Sequence, residues 1–264
     1  YMTTGNENSK TTFSNSDHVN FDGSTELDNG MTVSFSLQLD GDESDDGVID
    51  NHSVTIDTNG MGTIVFAGHG GTGVLDAWDD ITPNAYEEAW DGLDSSSTAV
   101  VINGHSQNNM ITYTSESFSG AVFTVAFIPA EASGAKKNES TYVDYGVTIT
   151  PEMVDGLTLG AAMGTTEITG GTEVDESTMY ATYAVGGLTI GYQSSEYDAP
   201  TSSASDDSTA IGISYAVNDN LSISYNTYES EKHDFSAVDK VQKSSAINVG
   251  YTIGGMTRNG LIEM

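Results

Sequence analysis

The sequence predicts an all-β fold: a closed antiparallel transmembrane β-barrel of 16 strands, forming a single domain over residues 1–264. Three observations predict it. Apolar and polar residues alternate with period two, short and long connections alternate along the chain, and the second face of the strands is polar rather than core-like.

The alternation comes first. Over residues 31–40, apolar Met31, Val33, Phe35, Leu37 and Leu39 interleave with Thr32, Ser34, Ser36, Gln38 and Asp40. The same pattern runs through Val143, Tyr145, Val147 and Ile149, through Leu157, Leu159, Ala161 and Met163, through Leu221, Ile223 and Tyr225, and through Ile247, Val249, Tyr251 and Ile253. Successive side chains of an extended strand point to opposite faces, so each run has one apolar face. No long segment carries a 3.6-residue period, so helices are minor.

The connections come next. Asp28-Asn29-Gly30, Asn59-Gly60, Ser119-Gly120, Asp155-Gly156, Gly186-Gly187, Asn218-Asp219-Asn220 and Gly254-Gly255 each separate two strand-like runs. Such residues tolerate the positive φ that tight hairpins need. Successive spacings are 30, 60, 36, 31, 32 and 36 residues, so one gap is doubled and holds a long insertion. Between the short turns lie long polar stretches at 41–48, 130–140, 166–176, 195–207 and 230–242. Seven short turns imply fourteen strands, the end of another at 1–4 makes fifteen, and an even-stranded barrel needs one more. The chain is therefore expected to be incomplete at both ends. It begins with Tyr1 and carries no visible leader.

A soluble sandwich has no need of short turns at one end and long loops at the other, whereas a barrel crossing an outer membrane has that asymmetry. Closure is what satisfies every backbone group of a sheet in hydrocarbon. No stretch approaches the roughly 20 apolar residues of a membrane helix. Pro83, Pro129, Pro151 and Pro200 fall in loops or at strand ends, where a missing N–H does not break a ladder.

The second face completes the fold argument. Thr32, Ser34, Ser36, Gln38, Ser222, Ser224 and Asn226 are too polar for a packed core, and about 16 strands leave an aqueous channel. The residues assigned to the lumen wall are Gln38, Asp57, Asp144, Asn226 and Arg258. Tyr113, Tyr145, Tyr183, Tyr192, Tyr215, Tyr225 and Tyr251 fall on outward faces, as an interfacial aromatic girdle would.

Composition excludes several functions. Seven Lys plus Arg against 39 Asp plus Glu give a formal charge of −32, which no nucleic-acid partner would tolerate. There is no Cys, hence no disulfide framework or thiolate metal site. The five His are scattered without zinc spacing, and no motif singles out a nucleophile, so no enzyme is expected. Gly68-His69-Gly70-Gly71-Thr72-Gly73 matches G-x-G-x-x-G, but acidic residues follow it where a dinucleotide loop would open a helix. In the segment 40–47, Asp42, Ser44, Asp46 and Gly47 resemble the start of an EF-hand loop, but Ser53 stands where the bidentate Glu belongs. No cofactor is expected beyond a weak calcium site at Asp40, Asp42 and Asp46.

Two stretches carry a family resemblance. They are Gly23-Ser24-Thr25-Glu26-Leu27-Asp28-Asn29-Gly30-Met31-Thr32-Val33, and the pair Ser53-Val54-Thr55-Ile56-Asp57 and Met61-Gly62-Thr63-Ile64-Val65-Phe66-Ala67-Gly68. Both resemble general porins of the Gram-negative outer membrane, especially the alphaproteobacterial kind, in the second-to-third-strand hairpin and the fourth and fifth strands. The resemblance implies a homotrimer in a lipid bilayer with lipopolysaccharide, passive diffusion of small hydrophilic solutes, and a third loop folded inward as a constriction. That loop would be the insertion at 69–97, with Asp76, Asp79, Asp80, Glu87, Glu88, Asp91 and Asp94 at the constriction. Acids in a narrow, low-dielectric passage concentrate cations. Trp78, Tyr86 and Trp90 would anchor it to the wall or meet a neighbouring subunit.

Two features depart from the family. Arg258 is the only Lys or Arg inside a predicted strand, and the chain ends Glu263-Met264 rather than in an aromatic residue. Two alternatives stay open. One is a substrate-selective channel on the same fold, and the other a secreted, acidic, calcium-binding β surface protein or adhesin.

Overall fold

Fourteen strands join in one antiparallel sheet whose spatial order is the order of the chain. They are β1 (His18–Glu26), β2 (Thr32–Asp40), β3 (Ile49–Asp57), β4 (Thr63–His69), β5 (Met110–Thr114), β6 (Ala121–Ile128) and β7 (Thr141–Ile149). There follow β8 (Leu157–Ile168), β9 (Thr172–Val185), β10 (Leu188–Asp198), β11 (Ser205–Asn218), β12 (Leu221–His233), β13 (Lys240–Ile253) and β14 (Met256–Glu263). The computed structural model describes residues 2–3, 12–13, 18–40, 49–79, 81–89, 104, 106–107, 109–129, 141–168, 172–198, 205–233, 240–253 and 256–263.

Six of the predicted turns are the connections β1–β2, β3–β4, β5–β6, β7–β8, β9–β10 and β11–β12, and the seventh, Gly254-Gly255, lies outside the described residues, between the paired Ile253 and Met256. Gly120 shows why one of them needs glycine. Its φ is +82°, and a Cβ there would lie 2.2 Å from the Thr150 carbonyl oxygen, which the neighbouring turn places against it. The fifteenth strand end expected at 1–4 does not join the sheet: Met2–Thr3 pairs with Thr12–Phe13 in a separate two-stranded ladder. Among the described residues β1 and β14 are the two edges of the sheet.

The two faces differ as the period-2 pattern requires. On β13, Ile247, Val249, Tyr251 and Ile253 are exposed, while Ala246 and Asn248 in the alternate positions are fully buried. On β11, Ile211, Ile213 and Tyr215 are exposed against buried Asp206, Ser208 and Ala210. The apolar face is thus the outer surface. A water-soluble sheet would cover it, and here it is the face that lipid can cover.

β8 to β13 are longer than the polarity pattern indicates, at 11–14 residues each. Much of the loops expected at 166–176, 195–207 and 230–242 is strand instead: β8 runs to Ile168 and β9 starts at Thr172, β10 runs to Asp198 and β11 starts at Ser205, and β12 runs to His233 and β13 starts at Lys240. The physical reason is that the ladder continues past the apolar band of about 25 Å, where both faces are polar and the alternation disappears while the hydrogen bonds persist. One correction follows for the basic residues. Lys232, Lys240 and Lys243 lie in strands, so Arg258 is not alone there; Lys232 stands opposite Asp206 and Lys240. Lys243 donates to Glu229 Oε2 at 2.6 Å on an exposed stretch. Arg258, expected on the lumen wall, stands in register with Tyr251, because the β13–β14 hairpin pairs Ile253 with Met256; its side chain lies outside the described residues.

Candidate functional site

The doubled gap is the β4–β5 connection, and its chain crosses the polar face of the sheet. Just past β4, Gly70 has φ +72°, and Gly71–Thr72 then pair with Ser106–Gln107 from the returning arm. A short 3-10 turn follows, Asp76–Trp78. It is not the helix that a dinucleotide loop would open.

The wall holds this segment at four places along its path. At the root, Asp144 of β7 accepts through Oδ2 from the backbone N–H of Val74 at 2.6 Å and of Leu75 at 3.1 Å. The same oxygen accepts from the Tyr142 hydroxyl at 2.9 Å, and Oδ1 from the Ala126 N–H at 3.2 Å. A buried carboxyl is costly unless it is satisfied, and this fully buried one has four donors. Farther along, Gln193 of β10 donates to the Trp78 carbonyl at 2.6 Å. The Ala85 N–H donates to Ser224 Oγ of β12 at 2.8 Å. At the far end, Asn226 of β12 and Asn248 of β13 both donate to the Glu87 carbonyl, at 3.2 and 2.8 Å.

Apolar packing supplements these bonds. Val74 and Leu75 pack with Ala162 of β8, and Trp78 and Tyr197 lie against that cluster. The Trp78 and Tyr180 rings meet edge to face at 5.0 Å, a contact worth about 0.5–1.5 kcal/mol beyond its burial.

Strand glycines let the loop come this close. A Cβ on Gly146 would meet Val74 and Trp78, one on Gly164 would meet Leu75, and ones on Gly191 and Gly212 would meet Pro83. One on Gly250 would stand 2.8 Å from the Ala85 carbonyl oxygen. Glycine in a strand interior weakens the strand but admits another backbone.

The predicted constriction acids divide into three sets. Asp76 and Asp79 sit half-buried in the 3-10 turn and just after it. Burial, and then the charge of nearby Asp144, raise the Asp76 carboxyl above the ordinary carboxylate range. Glu88 is buried and accepts from the Asn84 side chain, while Glu87 offers its backbone to the clamp described above. Asp80, Asp91 and Asp94 lie outside the described residues, as does Trp90; Tyr86 is exposed.

The predicted lumen-wall residues fare differently. Asp144 and Asn226 are under the loop and hold it. Gln38 is half-buried, opposite Asn20 and Asn51. Asp57 sits at the short-turn end, accepting from the Asn59 N–H at 2.9 Å. On β1–β3 the polar face is open, with a groove of about 460 Å³ lined by Asp22, Gly23, Ser24, Ser34, Phe35, Ser36, Ser53 and Thr55. There Ser36 donates to Asp22 at 2.7 Å. Of the suggested calcium ligands, Asp42, Asp46 and the Asp40 side chain lie outside the described residues. Among the described residues no group of three or more His, Asp or Glu could hold a metal ion.

The sequence reading missed Gln193, Ser224, Asn248 and Tyr142 as loop partners. A usable signal was present: glycines at mid-strand positions of the polar row, at 146, 164, 191, 212 and 250, have no turn to serve.

Comparison with known proteins gives one family. The model of the Gram-negative porin family matches residues 1–259. Among solved structures, the anion-selective porin from Comamonas acidovorans is 16% identical with a TM-score of 0.66, covering 92% of this chain and 76% of its own. In-vitro folded OmpT of Vibrio cholerae, an outer membrane protein in its trimer form, is 16% identical with a TM-score of 0.66, covering 96% and 80%. A mutant of the Rh. blastica porin is 19% identical with a TM-score of 0.64, covering 98% and 88%. At these identities the likeness is one of fold. No curated protein sequence matches significantly.

Proposed function

The chain belongs to the Gram-negative porin family, a family of the bacterial outer membrane, and from that membership we propose a water-filled, cation-preferring diffusion channel for small hydrophilic solutes. Family and fold point to a channel rather than an enzyme. The observation that carries the reading is the acid-bearing segment 73–89 bound across the polar face of a sheet whose apolar face is exposed. Such a segment narrows the passage, and carboxylates in a narrow passage of low dielectric attract cations and repel anions.

Closure belongs to the same reading. An open sheet in hydrocarbon would leave the N–H and C=O groups of β1 and β14 unpaired, at several kcal/mol each, so the edges must be joined through further strands or to each other. Sixteen strands is the number the turn count favours. A homotrimer is supported by the trimeric V. cholerae relative, and lipid with lipopolysaccharide is the expected surrounding.

The test is a planar-bilayer recording across a KCl gradient. A reversal potential of the sign set by K⁺ is expected. An anion-selective potential would overturn the cation preference, and absence of any conductance would overturn the channel.

A further inference from the structure

We propose that Asp144 is a positioning residue: it fixes where the inward segment stands, and so the width of the passage, and is not a wall group that solutes meet. The proposal rests on the channel reading only for its consequence in conductance; the latch itself stands on geometry. The side chain is completely buried, and both carboxyl oxygens are occupied. Two of its four donors are consecutive backbone amides, Val74 and Leu75, at the point where the chain turns into its 3-10 helix. Gly146 and Gly164, two positions away on β7 and directly opposite on β8, leave the space that the segment occupies.

The two ends of the crossing are held by different chemistry. At the far end neutral carboxamides of Asn226 and Asn248 share one carbonyl, that of Glu87. At the root a carboxyl group gathers several donors, and hydrogen bonds to an ionised acceptor are about twice as strong as neutral ones. Loss of Asp144 also leaves the Val74 and Leu75 amides without acceptors against the wall, and an unsatisfied buried donor costs more than a made bond gains. The root therefore dominates the docking. The far end alone would hold the strap by its tip and let the root swing.

The experiment measures amide hydrogen exchange and single-channel current on the same preparations of the whole chain. The variants are Asp144→Ala, Asp144→Asn and the double variant Asn226→Ala/Asn248→Ala. In Asp144→Ala, exchange at Val74 and Leu75 is expected to rise about tenfold or more while amides of β11–β13 keep their protection. The open-channel current should become smaller and noisier, because the freed root moves off the wall into the passage. Formate, which can refill the acceptor position, should reverse both effects, and chloride should not. Asp144→Asn keeps the shape but turns one acceptor into a donor, so it should show the same pattern at smaller size, and it serves if the alanine variant does not fold. The double variant should speed exchange near Glu87 and leave Val74 and Leu75 protected.

Unchanged exchange at Val74 and Leu75 in a folded Asp144 variant would overturn the proposal. So would uniform acceleration across the strands. A wild-type protein that conducts nothing would refute the channel, while the exchange result would still decide the latch.

Discussion

At Gly212 a side chain would meet the inward segment before anything else: its Cβ would lie 2.6 Å from the Pro83 carbonyl oxygen and 3.0 Å from the Pro83 nitrogen. Gly212→Val is therefore expected to separate wall from loop. Valine suits a strand, so the sheet should unfold at the same temperature or higher. The segment, pushed off the wall, should narrow the passage and lower the single-channel conductance. Bilayer recording with a thermal circular-dichroism scan checks both, and a drop in melting temperature at constant conductance would refute the assignment. Asp144→Ala, which frees the root from the same wall, should change the current in the same direction. Gly212 was legible in the sequence as an oddity, a glycine within an alternating run. That Pro83 fills its space was not, because 129 residues separate them and only the sheet brings them together.

Among the elements, the inward segment responds to pH in a direction that Asp76 sets. Its carboxyl is raised by burial first and by the Asp144 charge second. A raised acid holds its proton more tightly docked than undocked. The docking free energy is then unaffected below the ordinary carboxylate value, weakens as pH climbs from there to the raised value, and stays weaker above it. Asp76→Asn should remove that loss, making exchange at Leu75 slower than in wild type at neutral pH and equal to it in acid. A crossing of the two exchange–pH curves in the opposite order would refute the sign. The hairpins were legible at this scale because turn chemistry is local: Gly, Asn and Asp tolerate the φ values that tight turns need. The extra length of β8 to β13 was not legible. Beyond the apolar band, polar residues occupy both faces, and a ladder of backbone hydrogen bonds leaves no mark on side-chain polarity.

For the whole molecule, 39 acids against seven Lys plus Arg create a field that salt can screen. The Debye length shrinks from about 30 Å at 0.01 M to about 3 Å at 1 M. If the cation preference comes from the summed surface charge, the reversal potential under a fixed concentration ratio should approach zero as total salt rises. If it comes from acids within the constriction, most of the preference should survive, because charges at contact distance are screened less. We expect survival, since Asp76, Asp79 and Glu88 are half-buried or buried in the segment itself. Complete loss of preference at 1 M would move the selectivity from the loop to the rims.

By itself the sequence determined the class of fold, the seven tight turns, the outward apolar face and the doubled gap where an insertion had to lie. All of these follow from side-chain polarity at fixed backbone period and from residues that permit positive φ, which are local properties. Only the tertiary structure decided what the polar row is for. It showed that Asp144 and Asn226, expected on the lumen wall, hold the inward segment there, and it explained the mid-strand glycines. It also set Arg258 opposite Tyr251, through a register that the β13–β14 hairpin sets. Which strand faces which stretch of loop depends on contacts between residues far apart in the chain. No local pattern of polarity encodes that pairing.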